Sequence, residues 1–141
     1  MSYRSSEFSL VFPPDPAWVR VAREAVRAAA HHSGIGELDD TAALLTSEVV
    51  TNAVIACQGG RCDAPVALHA QWAAPGSLHV LVRDAAPGFP VQRAAPPDEE
   101  GGRGLHLIGA CATEWGVCRH GAGSGKAVWF QLGGGGAASG L

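Results

Sequence analysis

The chain has 141 residues, of which 47% are apolar, and a formal net charge of −3. That is the length of one domain with a real core. No stretch approaches the roughly eighteen consecutive apolar residues of a membrane span, and the slight negative balance argues against wholesale electrostatic binding to nucleic acid.

Met1-Ser2-Tyr3-Arg4 runs into Glu7 rather than an apolar segment, so no secretory leader is expected. Glu7 to Phe12 alternates weakly as a strand, which Pro13 and Pro14 end. Asp15 followed by Pro16 marks a helix start, with Asp15 as N-cap and Pro16 as the first helical residue. That helix is expected to run to about His32, to bury Val21, Ala22, Ala25 and Ala29, and to stop at Ser33 to Gly36. Arg20, Arg23 and Arg27 lie at helical spacing with Glu24 among them and read as a solvated face. A second helix is expected from near Asp39 to about Gln58, ended by Gly59 and Gly60.

Strands follow at Val66 to Trp72 and Leu78 to Asp84, with Pro75-Gly76 as the turn between them. From Ala85 to Gly102 the composition changes to Pro, Gly, Ala and acid without periodicity, which marks a long loop of the functional or disordered kind. Leu105 to Ala112 reads as a short helix, Glu114 to Arg119 as a strand and Lys126 to Leu132 as the last strand. The Gly-rich stretch 133–141 has nothing to bury, so the expected organisation is a single domain over 1–132 and a flexible tail. Cys57, Cys62, Cys111 and Cys118 form no CxxC and no zinc-type spacing with histidine, which fits reduced intracellular thiols. The order of elements predicts an α+β two-layer sandwich: a mixed, mostly antiparallel sheet with helices on one face.

Three segments carry chemistry. Between Thr41 and Gly60 the one charged residue is Glu48, and Asn52 lies one helical turn on, on the same face. Ala42, Val49, Ala53 and Cys57 occupy the opposite side, and Leu44, Leu45 and Ile55 border the Glu/Asn pair. An acid in an apolar border is costly to bury without a partner, which metal–phosphate chemistry would supply; a solvent-facing Glu is the alternative. Asp84 shares a strand face with Leu78, Val80 and Val82, so the same alternation turns it towards the helix layer. There it could accept a hydrogen bond from an exocyclic amine, or simply start a turn. Gly101-Gly-Arg-Gly-Leu105 leads directly into a helix, where unsatisfied backbone N–H groups suit phosphate. The Walker-like Gly121-Ala-Gly-Ser-Gly-Lys-Ala127 fails on spacing, has Ala127 in place of a magnesium-binding hydroxyl, and enters a strand.

In this order the segments resemble the gyrase, chaperone, histidine-kinase and mismatch-repair ATPase superfamily, and within it the short anti-sigma-factor serine kinases and related ATP-binding regulators of actinobacteria. The resemblance covers roughly Phe12 to Leu132. Ala43 to Val54 is similar to the N box, Val82 to Gly88 to the G1 box and Gly102 to Leu105 to the G2 box, and Trp115 to Val117 and Gly125 to Phe130 also fit.

It implies a Bergerat-type fold and a cytoplasmic, ATP- and Mg²⁺-dependent protein serine kinase. Its partners would be an anti-anti-sigma-type protein and a sigma factor, without direct nucleic-acid or membrane contact, and a homodimer is compatible with it. By the same resemblance Asn52 would hold Mg²⁺, Glu48 would orient or deprotonate the attacking hydroxyl, and Asp84 would recognise the adenine amine. Gly88 belongs to the same ATP-binding set. Gly102, Arg103, Gly104 and Leu105 would close over the phosphates, with residues 85 to 101 as a lid. The chain departs from the family pattern at Ala86 (usually Gly), at Ala127 (often a Thr that helps the adenine-binding Asp), and at Ile55 and Ala56 (often Arg and His). A non-catalytic ATP-binding module acting by protein contact alone is the alternative reading.

Overall fold

Leu78, Val80 and Val82 alternate with Ser77, His79 and Leu81, and the first set is buried. That alternation builds the central strand of a five-stranded sheet. The computed structural model describes residues 5–59, 62–73, 76–86, 102–119 and 125–134. The elements in chain order are β1 (Ser5–Phe12), α1 (Ala17–His32), a 3₁₀ turn (Gly36–Leu38), α2 (Asp39–Gly59), β2 (Val66–Ala73), β3 (Ser77–Asp84), α3 (Gly102–Cys111), β4 (Glu114–Arg119) and β5 (Lys126–Gly133).

The strand order is β1-β2-β3-β5-β4, and all four pairings are antiparallel. The expectation of a mixed sheet therefore gives way to an antiparallel one. β4 runs in the same direction as β3, but β5 lies between them, so the two never pair. One sheet face carries Phe12, Leu68, Ala70, Leu78, Val80, Val82, Phe130 and Leu132, which join buried residues of α1, α2 and α3 in a single core. Fully burying aliphatic side chains of this kind contributes about 1.5–3 kcal/mol each.

The helices begin and end for local reasons. Asp15 accepts the Ala17 N–H at 2.9 Å, and Gly34, at φ 88°, follows the last turn of α1. The buried stripe of α1 is Ala22, Val26, Ala29 and Ala30, while Val21 is 46% exposed. The stripe keeps the i, i+4, i+7, i+8 spacing of a core-facing helix but starts one residue later than expected from sequence. Arg27 leaves the solvated row to bind Asp40 and Glu24, which ties α1 to the start of α2. β5 runs one residue beyond Leu132: Gly133 pairs with Ser77. At φ 68°, with Gly76 O only 2.2 Å from where a Cβ would stand, position 133 excludes a side chain.

Candidate functional site

The site begins where β3 ends. Asp84 continues the inward row of Leu78, Val80 and Val82, and its side chain is 3% exposed. β5 pairs antiparallel with β3, and the residue directly opposite Asp84 is Lys126. Lys126 leads the inward row of its own strand, ahead of Val128, Phe130 and Leu132. Its Nζ donates to Asp84 Oδ1 at 2.9 Å, with only 6% of its side chain exposed. The same carboxylate oxygen accepts the Ala86 N–H at 2.9 Å. Gly125 lets the two strands meet here: at φ 113° its N–H donates to Ala86 O at 3.2 Å, and a Cβ would come within 3.3 Å of Asp84 O.

Buried charges survive only when paired and hydrogen-bonded, and Asp84 and Lys126 meet both conditions. Ala86, which stands where a glycine was expected, is fully buried in the core, so its methyl is accommodated.

The last turn of α2 abuts this pair. Burial pushes the Cys57 thiol up to about 11, with the Cys62 thiol and then the negative charge of Asp84 adding to the effect. Cys57 therefore stays a neutral thiol at physiological pH, packed as a small hydrophobe. From Cys57 back along α2, Asn52 lies about 7.5 Å and Glu48 about 13.5 Å away along the helix axis, at 1.5 Å per residue. Along the helix axis the site thus runs from the buried donor–acceptor pair, beside the Cys57 turn, back to the level of Asn52 and Glu48, which lie on a different face of α2 from Cys57.

Asn52 and Glu48 are half-buried, and Ala42, Val49, Ala53 and Cys57 on the far side of α2 are buried as expected. Of the expected apolar border, Leu44 and Ile55 are 46% and 42% exposed, whereas Leu45 is in the core.

α3 packs on α2, and among its described side chains Ile108 is buried. The helix starts at Gly102, so Gly102, Arg103, Gly104 and Leu105 form its first turn. Backbone N–H groups there have no helical acceptor and can serve an anion. The side chains of Arg103 and Leu105, and Gly88 with residues 87–101 of the expected lid, lie outside the described residues.

One expectation is corrected. Ala127 was expected at the place of a hydroxyl that helps Asp84, but it pairs with Arg83 and sits on the opposite sheet face from Asp84. Alternation assigns that place to its neighbour Lys126. Lys126 is the functional candidate that the sequence reading missed. The signal was available: it is the chain's single lysine, and it has the same parity as Val128, Phe130 and Leu132.

The donor set suits a magnesium ion that comes with a nucleotide. Mg²⁺ takes oxygen ligands, keeps several waters and is usually held by one or two protein groups plus phosphates. One amide oxygen, from Asn52, meets that description. Among the described residues no group of three or more His, Cys, Asp or Glu side chains could hold a metal unaided, and no helix is long and apolar enough to cross a membrane.

The family model of the histidine kinase-like ATPase domain matches residues 12–132, which takes in every element from the end of β1 to β5 except the closing Gly133. No curated protein matches the chain.

Proposed function

The chain belongs to the histidine kinase-like ATPase family, and we propose that it is a regulatory protein kinase that transfers the γ-phosphate of ATP to a serine of a separate partner protein. The observation that carries this reading is an order along α2. Asp84 lies against its last turn, Asn52 and Glu48 follow towards its N-terminus, and α3, which opens on glycines, packs on the same helix. Base, triphosphate and acceptor hydroxyl need groups in that order.

In this reading Asp84 accepts the adenine amine, and the first turn of α3 takes the phosphates. Asn52 would hold Mg²⁺, which supplies charge neutralisation of the triphosphate. Glu48 takes the proton of the serine hydroxyl as its oxygen bonds to the γ-phosphorus; the bond from that phosphorus to the β,γ-bridging oxygen breaks, and ADP leaves. Phosphoryl transfer asks mainly for positioning and charge stabilisation, so a small site suffices. Exposed Leu44 and Ile55 beside Glu48 give a partner protein an apolar edge to rest on. An anti-anti-sigma-type protein is the partner we propose, with control of a sigma factor as the outcome.

The same apolar edge favours a second reading, in which the domain binds ATP and regulates by contact without transfer. Glu48→Gln separates the two. Gln matches the shape of Glu but cannot take the proton, so the variant is expected to bind ATP as the wild type does and to transfer phosphate about a hundred- to ten-thousandfold more slowly. Transfer at the wild-type rate would remove Glu48 from the role. No transfer by the wild type to any partner would leave the contact-only reading.

A further inference from the structure

A purine base reaching Asp84 meets two charged groups. Asp84 Oδ1 and Lys126 Nζ are 2.9 Å apart, both side chains are buried, and both lie on the helix-covered face of the sheet. We propose that Lys126 is a second base-reading residue, which donates a hydrogen bond to ring nitrogen N1 of adenine while Asp84 accepts one from the neighbouring 6-amino group. This rests on the reading of the chain as an ATP-binding protein.

The first reason is complementarity. The edge of adenine carries a donor, the 6-amino group, beside an acceptor, N1. The sheet offers the reverse, a carboxylate acceptor beside an ammonium donor. The second reason is hydrogen-bond capacity. An ammonium has three donors and no acceptor, and a carboxylate has about four acceptor positions. Among the described residues the hydrogen-bond partner of Lys126 is Asp84 Oδ1, and an ammonium can donate two bonds more. Among the same residues Asp84 accepts from Lys126 and the Ala86 N–H, both on Oδ1, and a carboxylate can accept about two more. N1 and the 6-amino group match that remaining capacity.

The third reason is charge. The pair is neutral as a unit, so a neutral base can approach without an uncompensated charge being buried with it. Lys126 cannot be replaced in this role by Ala127, whose side chain is on the other face.

Lys126 then sets base selectivity as well as affinity. Hypoxanthine presents an acceptor at C6 and a donor at N1, so both contacts become mismatched. A site with Asp84 alone would be mismatched only at C6.

The test is a calorimetric titration of the full chain, in Mg²⁺, with ATP, with 1-deaza-ATP (N1 replaced by C–H, amine kept) and with ITP. A charge-assisted hydrogen bond corresponds to roughly ten- to a hundredfold in affinity. The wild type is therefore expected to bind 1-deaza-ATP that much more weakly than ATP, and ITP more weakly still. Lys126→Met is expected to bind ATP and 1-deaza-ATP equally, and Lys126→Gln, a neutral donor, to separate them only a few-fold. Equal binding of ATP and 1-deaza-ATP by the wild type overturns the inference. So does undiminished discrimination in either variant that folds, judged by circular dichroism. If the wild type binds none of the three nucleotides, the ATP-binding reading itself falls and takes the inference with it.

Discussion

Two of the molecule's sets of ion pairs differ in almost everything except their chemistry. At the sheet end, Asp84 and Lys126 are joined at 2.9 Å with side chains 3% and 6% exposed. At the junction of α1 and α2, Arg27 binds Glu24, Asp39 and Asp40, and His31 reaches Asp39, all with access to water. The surface set is redundant: Arg27 has three acidic neighbours, and water would replace any of them. The buried pair has no such reserve, because each member left alone would be an uncompensated charge. A buried pair is often no more stabilising than apolar side chains of the same volume. Its presence in an otherwise apolar row of β3 and β5 fits the base-binding role proposed for it.

The largest expected effect follows directly. Lys126→Met leaves Asp84 buried and unpaired and is expected to cost about 3–5 kcal/mol of stability, read from denaturant unfolding. The double variant Asp84→Leu, Lys126→Met removes both charges and is expected to recover most of that loss. If the double variant is as unstable as the single one, the cost comes from packing rather than charge. An intermediate case lies inside α2. Thr46 is fully buried, and its hydroxyl has no hydrogen-bond partner among the described residues. Thr46→Val keeps the shape and removes the stranded polar atom, so a gain of about 1–2 kcal/mol is expected; a loss would show that the hydroxyl has a partner in solution.

The surface set should respond far less. Arg27→Ala is expected to lower stability by about a fifth or less of the Lys126→Met effect, and the difference should shrink further in high salt. A loss as large as that of Lys126→Met would erase the contrast between the two regions. The smallest effect is one of pH. The His31 hydrogen bond above all holds the Asp39 carboxyl below the usual range, with the Asp40 backbone N–H, His31 and Arg27 adding to it. Since the folded state holds that proton more weakly than the unfolded chain does, the stabilisation is present above the ordinary Asp pKa of about 3.9 and is lost as pH falls through the folded value. The stability difference between wild type and Asp39→Asn is thus expected to shrink as pH falls below about 4 and to vanish in stronger acid. A difference that persists undiminished in strong acid would contradict the assignment.

Much of the framework was legible in the sequence because it is local. The alternation of β3 alone places Asp84 with Leu78, Val80 and Val82, and one helical turn alone puts Asn52 beside Glu48. The α1 stripe was misjudged by one position because Val21 and Val26 are equally apolar, and only packing against α2 decides which is buried. The partner of Asp84 was missed for a different reason. Lys126 is 42 residues away in sequence, and pairing the two requires knowing that β5, not β4, is the neighbour of β3. Parity would still have favoured Lys126 over Ala127 once that neighbour was known. The absence of a parallel pair among the described residues is equally non-local, since it depends on where β5 inserts.

The central claim is that the buried Asp84–Lys126 end of the site reads a nucleotide base. It is tested most directly by calorimetric titration of Mg²⁺-ATP into the wild type and Asp84→Asn. Replacing the carboxylate loses the charge-assisted bond to the adenine amine and gives Lys126 a neutral neighbour, so binding is expected to weaken by roughly ten- to a hundredfold. Equal affinity in the two proteins would contradict the account.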